Sequence, residues 1–250
     1  MQALKVEGIS ISFGGLKAVS NVSFSLQAGE IMGLIGPNGA GKTTTLNLIS
    51  GLYKPSSGKV FFYDQDVSTL PAFRRARLGL GRTYQTPRFL QRSTIRENMM
   101  LGVDLADSMG HIRSFFGKKG TDFEKEVGTL LDIAGFYPDW ERDIDSLPYG
   151  QRKRLEIVRA LLAHPKILLV DEPAAGLNSK ELKQSIDLLR YACSNGVGVV
   201  LIEHQMDMIM SVCDAISVLN FGELIAYGTP KEVSADPKVI EAYLGRKKHA

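Results

Sequence analysis

Short apolar runs and helical apolar spacing divide this chain into predicted strands and helices. Runs bounded by polar turns predict eight strands, at residues 4–9, 22–26, 31–35, 59–62, 166–170, 197–202, 215–219 and 224–226. Residues 167–170 and 197–202 are apolar throughout, which is typical of central strands covered on both faces. The strands before residue 30 alternate apolar and polar positions instead. That pattern favours an antiparallel β edge laid beside a parallel core.

Helical spacing dominates the middle of the chain. Leu155, Val158 and Leu161 recur at 3.6-residue spacing, which predicts a helix entered through residues 148–150 and ending near residue 163. The wider stretch from 82 to 162 is mostly helical in pattern, and we interpret it as an inserted helical lobe. Within that lobe, the segment 104–120 is predicted to be a surface loop or short helices. The tail after residue 229 is predicted to form short helices ending in a basic triplet.

The predicted helix begins with three cations, Arg152, Lys153 and Arg154. Positive side chains are unfavourable at the positive end of a helix dipole. We therefore interpret this helix start as an exposed site that receives an anion.

Composition narrows the class of protein. A chain of 250 residues with 44% hydrophobic and 23% charged residues can form one large globular domain. Its net charge of +3 argues against a dedicated nucleic-acid binder. The two cysteines, Cys193 and Cys213, have no metal-type spacing and favour a reducing compartment. The amino-terminal sequence shows no secretory signal, and no apolar run approaches the length of a membrane helix.

A phosphate-binding loop follows the strand at 31–35. Residues 36–44 read Gly-Pro-Asn-Gly-Ala-Gly-Lys-Thr-Thr and lead into an apolar helix, which is the strand–loop–helix setting of a P-loop. The glycines allow backbone N–H groups to close around phosphate oxygens. Lys42 is predicted to reach the β- and γ-phosphates, and the Thr43 hydroxyl is predicted to ligate Mg²⁺. A plain glycine-rich turn before a helix would lack the Lys-Thr pair.

Two adjacent carboxylates end the apolar strand at 166–170. Asp171 is the candidate Mg²⁺ ligand, and Glu172 is placed to polarise a water for attack on the γ-phosphate. The alternative, a solvated acidic turn, is weakened by the P-loop earlier in the chain.

A third strand end carries His204. Because open parallel sheets gather ligand groups at the carboxyl ends of their strands, we expect His204 to contact the γ-phosphate. The other histidines, His111, His164 and His249, are predicted to be solvated.

These elements, with Gln85 and the sequence Leu-Pro-Tyr-Gly-Gln at 147–151, resemble the nucleotide-binding subunit of ABC transporters over about residues 4–244. The resemblance implies an α/β fold of the P-loop NTPase class, the ABC-type ATPase, with a mixed central sheet, an antiparallel β subdomain and an inserted α-helical subdomain. One domain would span residues 1–250. Its boundaries would be a nucleotide-binding core and β subdomain at about 1–85 and 163–228, a helical subdomain at about 86–162, and a helical tail at about 229–250.

The resemblance also implies roles for single residues, with ATP and Mg²⁺ as cofactors. Phe13 would stack on adenine, Gln85 would touch Mg²⁺ and the attacking water, and residues 174–178 would link two sites. The residues implied in catalysis are Glu172, His204, Gln85 and Lys42. Those implied to contact ATP are Phe13, Gly36, Pro37, Asn38, Gly39, Ala40, Gly41, Lys42, Thr43, Thr44, Tyr149, Gly150 and Gln151, and those implied to hold the metal are Thr43, Gln85 and Asp171.

Partners follow from the same resemblance. Two such subunits pair head to tail in this family, so the anion at the start of the 149–163 helix would be the γ-phosphate of ATP on a second ABC ATPase subunit, identical or homologous. Integral-membrane permease subunits and, indirectly, a solute-binding protein outside the membrane are also implied. No nucleic-acid partner is implied. The subunit would lie at the cytoplasmic face of the cell membrane.

Two positions depart from the common family pattern. Pro148 stands where the family usually has Ser, so that hydroxyl cannot bond the γ-phosphate. Asn178 stands where the linking loop usually has Asp, so the charge is lost while donor and acceptor remain.

Within the family, the chain is most similar to the ATPase subunits of branched-chain amino-acid importers. The similarity lies in Tyr-Gly-Gln-Arg-Lys-Arg-Leu-Glu-Ile at 149–157, in Asp-Glu-Pro-Ala-Ala-Gly-Leu-Asn at 171–178, and in the ending at 226–245. Urea or amide import and lipopolysaccharide export are alternatives. We also predict that Phe89 and Leu90 line a groove for the permease, with burial in the core as the alternative.

A different class, a soluble ABC-type ATPase acting on nucleic acid or ribosomes, is less well supported. The chain has neither sustained heptads nor zinc-type cysteines, and it carries one core rather than two. A regulatory module without turnover is disfavoured because the acid and base residues are all present.

Overall fold

The computed structural model describes residues 1–108 and 121–244. Within these ranges the strands are β1 Gln2–Phe13, β2 Leu16–Gln27, β3 Ile31–Ile35, β4 Ser57–Phe62, β5 Gln65–Asp66, β6 Leu80–Arg82, β7 Ile167–Asp171, β8 Gly198–Ile202, β9 Ala215–Asn220 and β10 Glu223–Gly228. The helices are α1 Lys42–Ser50, α2 Ala72–Arg77, α3 Ile95–Ser108, α4 Thr121–Ala134, α5 Tyr149–Leu162, α6 Ser179–Ser194, α7 Met206–Val212, α8 Pro230–Ala235 and α9 Pro237–Leu244, with one short 3-10 turn at Ile144–Ser146.

The strands form two sheets rather than one. A six-stranded sheet has the order β10-β9-β3-β8-β7-β6 and is parallel except for β10, which confirms the mixed central sheet. The first strands pair only among themselves, in an antiparallel sheet of order β2-β1-β4-β5. The predicted antiparallel β region beside the parallel core is therefore confirmed, and it forms a sheet of its own. The first strands pack onto the central sheet through the side chains of one face. Because the other face is less buried, apolar and polar residues alternate along these strands.

Both faces of the central sheet are buried. Along β3, Ile31 and Ile35 pack with the helical side of the molecule, whereas Met32 and Leu34 pack with the antiparallel sheet and α1. Adjacent residues of a strand point to opposite faces, so a strand covered on both sides is apolar at every position. This layering holds the carboxyl ends of β3, β7 and β8 at one rim of the sheet.

The elements that the sequence pattern did not predict include β6 and α2. Strand β6 is only three residues long and pairs in parallel with β7, with Gly81 opposite Leu168. Helix α2 is six residues long. Elements this short do not complete a recognisable apolar period. Strand β6 nevertheless matters for function, because it delivers the chain directly to Gln85.

Helix α1, which follows the phosphate loop, is anchored at its carboxyl end by Arg75 of α2. Arg75 is 1% exposed and donates to the carbonyls of Leu48 and Ile49 at 2.7 Å, and to those of Ser68 and Leu70 at 3.0 and 2.9 Å. Burial lowers the pKa of this guanidinium to about 10, which leaves it charged at neutral pH. A cation at the carboxyl end of a helix is also stabilised by the negative end of the helix dipole.

The segment expected as a surface loop or short helices is partly helical. Residues 104–108 extend α3. Residues 109–120 and 245–250, with His111, His249 and the basic triplet, lie outside the described residues. His164 is exposed, as predicted. In the part of the chain that the structure describes, no helix combines the length and apolarity needed to cross a bilayer.

Candidate active site

The phosphate loop owes its shape to glycines with positive φ. Gly36 has φ 148°, and a Cβ there would lie 2.1 Å from the carbonyl oxygen of Leu219. Gly41 has φ 99°, and a Cβ there would lie 2.5 Å from the carbonyl oxygen of Ala18. Any larger residue would push the loop away from its supporting strands. Lys42 folds back over the loop and donates to the carbonyls of Gly36 at 2.8 Å and Pro37 at 3.1 Å.

The phosphate loop forms one wall of a cleft of about 860 Å³. The same cleft is lined by Gln85, Glu172 and His204, which follow three separate strands. All the lining residues are Leu16, Lys17, Ala18, Asn38, Gly39, Ala40, Gly41, Lys42, Thr43, Thr44, Gln85, Glu172, His204 and Phe221. The structure thus brings together most of the residues predicted from sequence, while Leu16–Ala18 and Phe221 were not foreseen. A loop of N–H groups and a lysine facing a carboxylate can bind a polyphosphate and activate water beside it.

Glu172 is hydrogen-bonded to both Gln85 and His204. Its Oε1 is 2.6 Å from His204 Nε2, and its Oε2 accepts a hydrogen bond from Gln85 Nε2 at 2.7 Å. Its backbone has φ 48°, a conformation that a non-glycine residue adopts only when its surroundings hold it there. Part of that support is Lys153 Nζ, which donates to the Glu172 carbonyl at 2.8 Å. The predicted base is therefore held through both its side chain and its backbone.

His204 is positioned by the residue before it. Glu203 is 4% exposed, and its carboxylate accepts hydrogen bonds from the backbone N–H groups of Ala174 at 2.6 Å and His204 at 3.0 Å. Burial raises the pKa of Glu203, and these N–H donors oppose that shift. Glu203 thus ties the strand end of β8 to the loop after Glu172. Sequence reasoning missed this role, although an acid directly before the predicted histidine was a visible signal.

Asp171, the residue before Glu172, is buried and is not among the residues that line the cleft. It is 4% exposed, and burial raises its pKa, while the positive charges of Arg82, Lys153 and Lys42 oppose that shift. A bound divalent cation would act in the same direction as those charges. Thr43, by contrast, is exposed in the cleft.

The donor set is compatible with Mg²⁺ bound together with phosphate. Within residues 1–108 and 121–244, no three His, Cys, Asp or Glu side chains converge as a complete metal site. Mg²⁺ commonly uses one or two protein oxygens, with phosphate oxygens and water completing its shell. Thr43 and Asp171 can supply those protein oxygens.

The remaining predicted contacts lie outside the cleft. Phe13 is 45% exposed and packs edge-to-face on Tyr53, with ring centroids 5.4 Å apart. Tyr149 donates from its hydroxyl to the Gln85 carbonyl at 3.2 Å. A Cβ at Gly150 would lie 2.3 Å from Glu181 Oε1, so the start of α5 packs tightly against α6.

The cations at the start of α5 have partners within the chain. Lys153 and Arg154 are 2% and 4% exposed. Lys153 bonds to Glu172, as described above, and Arg154 lies 3.3 Å from the Glu181 carboxylate. Arg152 pairs with Asp145 at 3.4 Å. The expectation that the cations lie exposed at the helix start was wrong for Lys153 and Arg154, because both are buried and have partners within the chain.

Asn178 has a structural role at the end of the linking loop. Its side chain accepts hydrogen bonds from the backbone N–H groups of Lys180 and Glu181, and the Asn178 N–H donates to the Glu181 carboxylate at 3.1 Å, which makes a capping box at the start of α6. Because Asn and Asp cap helices about equally well, the exchange of Asp for Asn preserves this function.

The fold and the site together define a P-loop NTPase: a parallel core whose strand ends carry a phosphate loop, a predicted base and a histidine around one cleft. The sequence model of the ABC transporter family matches residues 19–175, and that of the branched-chain amino acid ATP-binding cassette transporter matches residues 223–249. The chain belongs to the ABC transporter family and is an ABC-type ATPase.

Three comparisons illustrate this similarity. The high-affinity branched-chain amino acid transport ATP-binding protein LivG of Escherichia coli is 39% identical, over 97% of each chain. The lipopolysaccharide export system ATP-binding protein LptB of the same species is 33% identical, over 98% of each chain. The crystal structure of the ADP conformation of an ATP-binding cassette of an ABC transporter superposes with a TM-score of 0.83 at 31% identity, covering 98% of this chain and 99% of that one.

Proposed function

We propose that this chain hydrolyses Mg²⁺-ATP at the cytoplasmic face of a membrane and drives the import of branched-chain amino acids through separate permease subunits. The observation that carries the solute class is the match of residues 223–249 to the branched-chain amino acid cassette model. The full-length similarity to LivG supports the same class.

The proposed chemistry follows from the cleft. The phosphate loop and Lys42 bind the β- and γ-phosphates, while Thr43 and Asp171 hold Mg²⁺, which when bound neutralises phosphate charge. Glu172 accepts a proton from the attacking water, since it lines the same cleft as the phosphate loop. His204 and Gln85, both hydrogen-bonded to Glu172, orient the water and the γ-phosphate.

A second ATPase subunit would complete the site. Tyr149, Gly150 and Gln151 lie outside the cleft of their own chain, at the start of α5. Because a helix start presents free N–H groups, it stabilises phosphate charge on a partner chain when the two chains close together. ATP would then hold the dimer closed, and hydrolysis would release it.

The permease is proposed to dock in a cavity of about 360 Å³ between α2, α3 and α5. Its lining includes Leu52, Phe73 and Leu101, which are 50%, 58% and 41% exposed. The groove residues predicted from sequence, Phe89 and Leu90, do not line it. Phe89 is partly buried under Arg159, whose guanidinium lies 4.6 Å from the ring centroid, and Leu90 is 51% exposed beside it.

Lipopolysaccharide export is the second candidate, and the observation that favours it is the similarity to LptB over 98% of each chain. The carboxyl-terminal match and the higher identity to LivG favour amino-acid import.

The decisive experiment is transport by the intact complex. The chain, tagged at its carboxyl terminus, is purified with its membrane partners, and the complex is reconstituted in liposomes with ATP supplied to the tagged face. Uptake of labelled leucine, valine and isoleucine that requires ATP is the expected result. Uptake of urea or small amides instead would change the solute class, and ATP hydrolysis stimulated only by lipopolysaccharide would contradict import.

A further inference from the structure

The loop that carries Gln85 is held by side chains of neighbouring helices. After β6, the Thr83 N–H still bonds to β7, at the Leu169 carbonyl. Further along, the Leu90 N–H bonds to Asn98 Oδ1 of α3 at 2.8 Å. Between these points the backbone is held from α5, and Glu156 contacts it at two places.

The Glu156 carboxylate accepts hydrogen bonds from the backbone before and after Gln85. Its Oε2 accepts a hydrogen bond from the Tyr84 N–H at 3.4 Å, and its Oε1 accepts one from the Arg88 N–H at 3.1 Å. The residue is only 2% exposed. Each carboxylate oxygen therefore fixes one side of the segment whose side chain reaches Glu172.

The same helix also holds the backbone of Glu172. Tyr149, Lys153 and Glu156 are spaced four and three residues apart, so they lie on one face of α5. The Tyr149 hydroxyl bonds to the Gln85 carbonyl, and Lys153 bonds to the Glu172 carbonyl. The backbones of Gln85 and Glu172 are thus both hydrogen-bonded to α5. The start of this helix is the part proposed to meet the partner's ATP.

We propose that Glu156 is a positioning residue for ATP hydrolysis: by holding the Tyr84 and Arg88 amides to α5, it sets the place of the Gln85 side chain at Glu172. This inference deepens the proposed role of Gln85 and rests on it.

The chemical nature of the residue supports this role over simple packing. An apolar side chain would fill the same space without the desolvation cost of a carboxylate. Burial raises the pKa of Glu156 to about 7, and the two backbone N–H donors, Arg159 and Lys153 oppose that shift. Arg159 adds a further contact to the same loop through the Arg88 carbonyl at 2.5 Å.

The test is a double-mutant cycle on single-turnover ATP hydrolysis by the full-length chain. Glu156→Ala is expected to slow hydrolysis roughly tenfold or more, because small misplacements of a catalytic group are costly. ATP affinity, measured in EDTA to prevent turnover, should change less than twofold. In a Gln85→Ala background, Glu156→Ala should have no further effect on the rate, since its action passes through Gln85. Glu156→Asp should recover part of the rate.

Asn98→Ala is the matched control. Asn98 is buried, anchors the far end of the same loop and does not contact the residues flanking Gln85. Any effect it has on the rate should add to that of Gln85→Ala. If Glu156→Ala is also additive, or if it lowers ATP affinity as much as rate, its role is general stability and the inference is overturned.

Amide exchange provides a readout that does not depend on turnover. Peptides covering residues 83–88 should exchange faster in Glu156→Ala than in the wild type or Asn98→Ala. Unchanged exchange in these peptides would overturn the inference. Absent hydrolysis by the wild-type chain would instead contradict the proposed function, so the two failures are distinguishable.

Discussion

Among single residues, Glu172 has the most constrained environment in the cleft. Both carboxylate oxygens are engaged, one by His204 and one by Gln85, and the backbone is held at positive φ. These contacts fix a carboxylate where a water could be activated.

Glu172→Gln is expected to lower the rate of ATP hydrolysis roughly 10²- to 10⁴-fold, because the amide cannot accept the proton. ATP binding should persist, since the phosphate loop and Lys42 are unchanged. The slow variant should accumulate an ATP-bound dimer, detectable by size-exclusion chromatography with light scattering. Glu241→Gln, an exposed acid on α9, serves as the control with normal turnover. A monomeric and fully active Glu172→Gln would contradict the assignment of the base.

The sequence predicted those functional residues whose position is determined by their own segment of the chain. Lys42, Glu172 and His204 each end a strand or begin a helix, so their position follows from their own segment. Glu203 and Glu156 could not be assigned, because their roles depend on backbone amides 29 and 68 or more residues away in the chain. The cations of α5 were misread for the same reason: their partners, at Glu172 and Glu181, come from other elements.

Among the secondary-structure elements, α5 connects the regions on which function is proposed to depend. The first turn of α5 is proposed to contact a partner's nucleotide. Glu156, in its middle, holds the loop that carries Gln85. Arg159, in its last turn, lines the cavity beside α2 and α3. A displacement of any of these regions must therefore move α5 or strain its contacts. That continuity gives a physical route between a permease and the ATP cleft.

Phe73→Asp is expected to weaken the association with the permease about tenfold or more, because an aspartate in an apolar groove costs on the order of 2 kcal/mol. Recovery of permease subunits with the tagged chain from gently solubilised membranes measures this. ATP hydrolysis by the isolated variant should match the wild type, since Phe73 lies outside the cleft. Tyr137→Asp, at an aromatic side chain that is 67% exposed, is the control. Equal recovery for both variants would rule out this cavity as the docking site.

Element prediction succeeded where the apolar pattern was long. Strands β3, β7 and β8 are uniformly apolar and were located within a residue or two. Strands β1 and β2 and their antiparallel arrangement were also predicted, but the order in which the strands pair was not, because strand alternation specifies one buried face and not which strands exchange hydrogen bonds. Strand β6 and helix α2 were not predicted, because segments of three and six residues are too short to show a repeating apolar pattern.

For the whole molecule, the main consequence of the proposed function is that a second chain would complete each cleft. Gly150 and Gln151 lie outside their own cleft, so two head-to-tail chains would contribute complementary halves to each of two sites. A defect in the phosphate loop of one chain and a defect at the start of α5 in another would then fall in the same site of a mixed dimer. The other site of that dimer would be intact.

Mixing Lys42→Ala with Gln151→Glu tests this arrangement. Each variant alone should be nearly inactive, the first for lack of the phosphate-binding lysine and the second because a carboxylate would repel the partner's phosphate. The glutamate should not disturb folding, since an acid in the first helical turn is favourable. An equal mixture should recover about a quarter of wild-type hydrolysis, because half of random pairs are mixed and each has one intact site. Mixing either variant with itself provides the baseline, and a mixture no more active than that baseline would mean that each chain hydrolyses ATP without its partner's helix.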